Sequence, residues 1–178
     1  MKLVRVNYFN KYYKRIKKLN KLSFPKEEYM SCFSMLYLQK KGILDFYAVM
    51  DEDEFVGFIN LIVHEDICFL LYLCIDENKR NKGYGSKILS LIYNKYPSYL
   101  HILNIEPIDE KASNNDIRIK RKAFYLKNGY QESTYFLDCD NMQYEMLFKG
   151  QNFDMDKIKK VLSKFEGSSQ IKARFYQK

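Results

Sequence analysis

The run Ile67-Cys68-Phe69-Leu70-Leu71-Tyr72-Leu73-Cys74-Ile75 contains no charged residue and no turn former. It does not alternate polar with apolar positions, so neither face of such a strand is made for water. A strand of this kind belongs in the middle of a sheet, with cover above and below it. The rest of the chain must therefore supply neighbouring strands on both edges and helices for the faces. The next residues narrow the possibilities further. Arg80-Asn81-Lys82-Gly83-Tyr84-Gly85 is a basic loop with two glycines. From Ser86 to Tyr96 the pattern is that of an amphipathic helix with Ile88, Leu89, Ile92 and Tyr96 inward. A strand thus feeds a tight loop that opens a helix. The first N–H groups of that helix have no intrahelical partner. Together with the helix dipole they make a site for a phosphate, centred on Asn81 to Ser86. Gly83 and Gly85 let a ligand approach the backbone without a Cβ in the way, and Arg80 and Lys82 add positive charge beside it.

Two familiar phosphate loops are excluded by spacing. A nucleotide-binding P-loop ends in Gly-Lys-Ser/Thr, which is absent. A dinucleotide fingerprint needs a third glycine where Ile88 stands. An ordinary strand–helix turn that uses its glycines for geometry alone remains as the plain alternative.

At 178 residues, with 47% hydrophobic, the chain has the size and apolar content of a single domain spanning 1–178. No apolar run approaches the roughly 20 residues of a membrane span. The start, Met1 to Asn7, is too short and polar for a signal peptide, so a cytoplasmic protein is expected. The cysteines, Cys32, Cys68, Cys74 and Cys139, form no C-x-x-C pair. With only His64 and His101 beside them, zinc-ligand spacing is missing and no metal is expected. The cysteines read as reduced core residues, with Cys74, close to the loop, as the one candidate thiol nucleophile. A net charge of +8 suits either nucleic acid or a small polyanion. Its densest stretch, Lys11 to Lys21, carries Tyr12, Ile16 and Leu19 at helical spacing and reads as a solvated face over a buried stripe.

Along the chain, a strand is expected over Lys2–Asn7, a helix over Asn10–Leu22, and a second helix from Pro25 to about Leu38. Pro25 suits a first helical position and Glu27 and Glu28 its first turn. Strands are expected next at Leu44–Met50, Glu54–Val63 and Ile67–Ile75, with a turn at Asp51-Glu52-Asp53 between the first two. After the helix at Ser86–Tyr96 come a strand over Tyr99–Ile105, an acidic loop to Asn115, and a helix from Asp116 to Lys127 stopped by Asn128-Gly129. Tyr135–Leu137 and Gln143–Phe148 form a final antiparallel pair. A C-terminal helical extension, about 151–178, holds a helix at Asp154–Phe165 and a loosely held tail from Glu166 to Lys178.

The loop, as Arg80-x-x-Gly83-x-Gly85 after a buried strand, resembles the acetyl-CoA loop of the GNAT acyltransferases. A second stretch, Phe124-Tyr125-Leu126-Lys127-Asn128-Gly129-Tyr130, resembles that family's Phe-Tyr-x-x-x-Gly-Phe/Tyr signature, in the right order and beyond an intervening strand. Phe24-Pro25-x-Glu27, Phe46-Tyr47-Ala48, Phe55-Val56-Gly57 and Ile105-Glu106-Pro107 are shared with a bacterial group of these enzymes, a likeness that names no acceptor. The resemblance implies an α+β fold in three α/β/α layers, with a mixed, mostly antiparallel sheet. At its centre a parallel pair, Ile67–Ile75 and Tyr99–Ile105, splays around acetyl-CoA, with the Ser86–Tyr96 helix as the crossover.

The resemblance also implies roles. Pyrophosphate would rest on Arg80, Asn81, Lys82, Gly83, Tyr84, Gly85 and Ser86, and the backbone of Leu73, Cys74 and Ile75 would pair with the pantetheine arm like an added strand. Tyr125 matches the tyrosine that gives a proton to the departing sulfur; a buried core tyrosine with a satisfied hydroxyl is its bland alternative. Arg121, four residues earlier on the same helix face, would lower the phenol's pKa or meet a phosphate. Glu106 is the candidate base for the acceptor amine, directly or through a water, against a plain loop carboxylate. Asp109 and Glu110 would form an acidic rim or be simple loop residues. One departure stands out: Arg118 occupies the position where many relatives carry an asparagine that holds the cofactor, so either Arg118 replaces that contact or the arm is held differently. The expected activity is direct transfer of an acetyl group from acetyl-CoA to a primary amine through a tetrahedral intermediate, by a monomer or homodimer, with acetyl-CoA and an amine-bearing acceptor as partners. The alternatives are a non-catalytic CoA-binding sensor, which needs Gly83 and Gly85 but not Tyr125, and a nucleic-acid-binding module using Lys11–Lys21, for which no aromatic platform or recognition-helix pattern is evident.

Overall fold

A computed structural model describes residues 1–26, 28–139, 142–151, 153–166 and 173–177. The chain divides into two compact units. One comprises Met1–Glu65 and Leu70–Pro97; the other comprises Asp66–Phe69 and Ser98–Lys178.

The first unit begins with strand β1 (Lys2–Arg5), helix α1 (Tyr13–Ser23) and helix α2 (Cys32–Lys40), followed by strands β2 (Asp45–Asp51) and β3 (Glu54–His64). Strand β4 (Ile67–Ile75) enters this unit at Leu70, and helix α3 (Tyr84–Lys95) completes it. The strand order is β1-β2-β3-β4, with β1–β2 and β2–β3 antiparallel. Core side chains come from both faces of the strands, with β3 buried continuously from Phe55 to Ile62, and from one stripe of each helix: Phe46, Phe58, Ile16, Met35, Ile88 and Ile92 are fully buried. The β2–β3 register slips between Val49 and Met50, which face Gly57 and Phe55, so Val56 is the extra residue of a bulge.

Helix α2 starts well after the expected Pro25. Backbone bonds from Glu28 N–H to Pro25 O (3.1 Å) and from Tyr29 N–H to Lys26 O make only a turn there. The helix begins where Ser31 can cap it, its Oγ accepting from Ser34 N–H at 3.0 Å. The expected first-turn role of Glu27 falls outside the described residues. The helix ends close to the expected Leu38, at Lys40: Lys41 closes it, and Gly42 takes a left-handed conformation at φ +72°.

The second unit holds the head of β4, strand β5 (Leu100–Ile105), helix α4 (Asn115–Lys127), strands β6 (Gln131–Cys139) and β7 (Met142–Lys149), helix α5 (Met155–Glu166) and strand β8 (Ala173–Gln177). The order is β4-β5-β7-β6-β8. Leu100 N–H donates to Asp66 O at 2.8 Å, so β5 starts beside the start of β4 and runs parallel to it, which makes the sheet mixed. The remaining pairings of this unit, β5–β7, β6–β7 and β6–β8, are antiparallel. Strand β6 is longer than the expected Tyr135–Leu137, because the turn at Asn128-Gly129 is followed at once by Gln131. Its register on β7 slips between Glu132 and Phe136. Ser133 stitches the bulge, its Oγ donating to Met146 O at 2.8 Å and accepting from Tyr135 N–H at 3.1 Å.

The tail corrects an expectation. Instead of a loosely held end, Ala173–Gln177 forms β8, with Phe175 opposite Leu137 and Tyr176 opposite Phe136. The Phe136 and Tyr176 rings stack at 5.7 Å, an aromatic cross-strand pair that fixes the register. No described helix is long and apolar enough to cross a membrane.

Candidate active site

In the first unit the loop between β4 and α3 is organised by Asp76, which is almost completely buried. Its backbone N–H donates to Val56 O at 2.9 Å, which continues the β3 pairing one residue past β4. Its Oδ1 accepts from Asn78 N–H at 3.2 Å and so caps the short 3-10 turn Glu77–Lys79. Its Oδ2 receives Arg15 of α1 through Nη2 at 2.9 Å and Nε at 3.3 Å. Burial alone would raise this carboxyl's pKa, but the bonds from Arg15 and Asn78 outweigh it and hold the group below the usual carboxylate range.

The loop's basic side chains turn back onto their own backbone. Arg80 Nε donates to Ile75 O at 3.1 Å, and Lys82 Nζ donates to Asn78 O at 2.9 Å. Their first task is thus to shape the loop while their charge stays beside it. Asn81 and Gly83 both take left-handed backbone, at φ +60° and +76°. Gly83 is the N-cap of α3, and no side chain caps that helix. A Cβ built on Gly83 meets nothing within 4 Å, so the helix start opens onto free space rather than onto packed protein. The Tyr84 hydroxyl donates to Asp51 Oδ2 at 2.9 Å, and Lys79 pairs with Glu54, which ties the loop to the β2–β3 hairpin. Open space, an uncapped helix start and adjacent positive charge fit a pyrophosphate.

Strand β4 is less buried than its sequence implies. Cys74 is buried, but Leu71, Tyr72 and Leu73 are each half-exposed. Tyr72 is fixed by its hydroxyl, which donates to Glu28 O, and by an edge contact with Phe24 at 4.6 Å. The glycine that matters here is Gly57. An added Cβ would lie 2.0 Å from Cys74 O, so only glycine allows β3 to approach β4 at this point. The sequence shows Gly57 only as part of the Phe55-Val56-Gly57 likeness; its contact with Cys74 crosses strands and leaves no local mark. Arg15 and Asp76 carry no sequence signal either, since an ion pair between distant segments has no spacing to read. Cys74 itself does not look like a nucleophile. Its thiol donates to Ser23 Oγ at 3.0 Å, and burial raises its pKa.

In the second unit, Glu106 directly succeeds β5 and faces the first two turns of α4. Its two oxygens are both engaged. Oε1 takes Arg118 Nη2 at 2.9 Å and, more weakly, Asn114 Nδ2 at 3.4 Å; Oε2 takes Arg121 Nη1 at 2.9 Å. The carboxylate is 13% exposed. Arg118 is fully committed, since Nε also donates to Asn114 Oδ1 at 2.8 Å and Nη1 to Pro107 O at 2.9 Å. Arg121 is 39% exposed, and its other nitrogens bond to none of the described residues.

Tyr125 sits one turn beyond Arg121 on α4. Its ring is half-buried, with edge contacts to Phe124 at 5.0 Å and Tyr130 at 5.7 Å. None of the described residues hydrogen-bonds its hydroxyl, unlike a core tyrosine with a satisfied OH. Burial pushes its pKa up to about 12, with Arg121 pulling the other way. The phenol therefore holds its proton across the neutral range. The end of α4 is fixed by Asn128 and Gly129, as Tyr130 N–H returns to Tyr125 O at 3.2 Å. Asp109 is exposed and serves its own turn, its Oδ1 accepting from Lys111 N–H and its N–H donating to Asn115 Oδ1, both at 3.0 Å. Among the described residues no cluster of His, Cys, Asp and Glu could hold a metal.

A family model described as "Acetyltransferase (GNAT) domain" matches residues 43–132, half of the chain, from the end of the α2 turn to the start of β6. None of the curated proteins compared with this chain matches it. Among solved structures, an acetyltransferase of the GNAT family from Bacteroides thetaiotaomicron has a TM-score of 0.76 at 19% identity, covering 95% of this chain and 97% of that one. An aminoglycoside 6'-N-acetyltransferase complexed with coenzyme A has a TM-score of 0.63 at 17% identity, covering 86% and 100%. A spermidine N-acetyltransferase variant from Vibrio cholerae has a TM-score of 0.59 at 16% identity, covering 84% and 94%. At such identities the structures establish the fold, and the matched model establishes the kinship. With its glycine loop between β4 and α3 and its parallel β4–β5 start, the chain is an acyltransferase that belongs to the GNAT acetyltransferase family.

Proposed function

We propose that the protein transfers an acetyl group from acetyl-CoA to a primary amine. The observation that carries this reading is the uncapped, open start of α3 at Gly83. The N–H groups from Asn81 to Ser86 hold the donor's pyrophosphate, with the charge of Arg80 and Lys82 beside them. The backbone of β4 at Leu73, Cys74 and Ile75, where Leu73 and Ile75 are partly exposed, offers its groups to the pantetheine arm. A coenzyme A complex of a structurally similar enzyme supports the same donor.

The chemistry asks for a free amine and a good leaving group. The amine nitrogen attacks the thioester carbonyl carbon and gives a tetrahedral intermediate. As this collapses, the C–S bond breaks and the new C–N bond stays. The nitrogen loses its extra proton to water. The sulfur gains a proton from the Tyr125 hydroxyl, and solvent returns a proton to the phenolate. A phenol that stays protonated at neutral pH, with no protein partner on its oxygen, suits that donation. Arg118 has no spare nitrogen, so the asparagine-like contact with the donor passes to other groups, and Arg121 keeps nitrogens that bond to none of the described residues.

Calorimetric titration with acetyl-CoA tests the reading. The wild-type protein should bind, and Gly83→Glu should lose at least tenfold in affinity, because it places an anion where the pyrophosphate rests. Equal affinity in the two proteins would show that the loop is only a turn.

A further inference from the structure

The expectation that Glu106 is the base sits poorly with what surrounds it. A base needs a lone pair free to be aimed at the amine, whereas three of the four acceptor sites of Glu106 are taken, two on Oε1 by Arg118 and Asn114 and one on Oε2 by Arg121. Two guanidinium groups at 2.9 Å hold its two oxygens in place. The same bonds have a second effect. Arg121 is a long side chain with many rotamers, and Glu106 removes that freedom from one end. Arg118 fixes Glu106 in turn, since it also grips Asn114 and Pro107 and cannot swing away. The outcome is a braced arginine one helical turn before the candidate acid, on the same face of α4.

We propose that Glu106 is a positioning residue: with Arg118 it braces Arg121 beside Tyr125, and it acts on acetyl transfer through that arginine rather than by taking the amine's proton. The braced cation steadies the negative charge that gathers on the Tyr125 oxygen as its proton moves to sulfur. Arg118 and Arg121 thus serve one carboxylate in two ways, the first by locking it and the second by being locked. This rests on the acetyl-transfer reading above.

A double-mutant cycle separates the two roles. Tyr125→Phe should lower kcat about 10²-fold, Glu106→Gln about tenfold, and the double variant no further than Tyr125→Phe alone, because the brace has nothing left to act on. The low-pH limb of kcat/KM should keep its midpoint in Glu106→Gln. Arg121→Gln, which leaves the Glu106–Arg118 pair intact, guards against a folding defect and should match Glu106→Gln. Additive losses, or a low-pH limb that vanishes with Glu106→Gln, would restore Glu106 as the base and overturn the inference. A second readout needs no turnover. With 13Cζ-labelled tyrosine, the Tyr125 resonance, assigned by its loss in Tyr125→Phe, should move in the same direction in Glu106→Gln and in Arg121→Gln; an unmoved resonance also overturns the inference. Failure of the wild-type protein to bind acetyl-CoA would instead remove the acetyl-transfer reading, whatever the resonance does.

Discussion

Tyr125 holds its proton tightly, and this sets how the reaction should respond to pH. The group must be protonated to serve as the acid, and burial places its pKa at about 12. If Tyr125 is the acid we propose, turnover should rise with pH as the acceptor amine loses its proton, with no fall from Tyr125 below about pH 10. A pH–rate profile checks this, and a descending limb near pH 8 that disappears in Tyr125→Phe would contradict it. The motif makes Tyr125 legible, because the Phe-Tyr-x-x-x-Gly spacing lies within one helix and its cap. Gly57 is not legible in the same way. Its need for hydrogen at Cα comes from Cys74 O, 2.0 Å from an ideal Cβ, on the neighbouring strand. Gly57→Ala should cost roughly 1–3 kcal/mol of stability, since backbone rather than a flexible side chain must move. It should also weaken acetyl-CoA binding by displacing β4. Denaturant melts together with the donor titration measure both effects. The braced state of Glu106 is equally hidden, as nothing in Ile105-Glu106-Pro107 says that two arginines on a later helix close around it.

Elements are legible where a pattern is long and obscure where a local cap decides the matter. Ile67–Ile75 and the strand start at Glu54 agree with the sequence pattern, and α4 differs by a single residue. Helix α2 departs from it because Pro25 and the acidic pair look like a helix start, whereas Ser31 supplies the actual cap. Ser31→Ala should therefore lower stability by about 1 kcal/mol, measured by urea midpoint, while Pro25→Ala should cost much less. The 3-10 turn after β4 depends on Asp76, whose folded pKa lies below its unfolded one. Its contribution is present in full above the unfolded value near pH 4 and is lost as pH falls through the folded value. Stability should then decline on acidification below about pH 4 more steeply in the wild type than in Asp76→Asn, as urea midpoints at a series of pH values would show. Strand β8 leaves no clear sequence signal because Arg174, Phe175 and Tyr176 form a run too short to stand alone; it exists by pairing with β6.

At the scale of the whole molecule, the order of the elements indicates the fold class and leaves open what the last helix does. Helix α5 buries Met155, Ile158, Val161, Leu162 and Phe165. Each such side chain is worth roughly 1.5–3 kcal/mol of transfer from water, and together they rival the entire margin of a typical domain, about 5–15 kcal/mol. A chain ending at Gly150 should fail to yield soluble, cooperatively melting protein. A sharp melt from that truncation would show that α5 is an accessory. A different consequence comes from β4, whose Leu71 and Leu73 stay partly open to water although they are as apolar as their buried neighbours. Apolar side chains left open to water make a purified protein adhesive. A molecule that binds there in the folded state adds stability in proportion to the logarithm of its concentration, about 2.7 kcal/mol at a hundredfold excess over its Kd, and so raises the melting temperature. Handling in the presence of coenzyme A should therefore reduce precipitation, and a simple melt against acyl donors of increasing chain length would rank them before any acceptor is known.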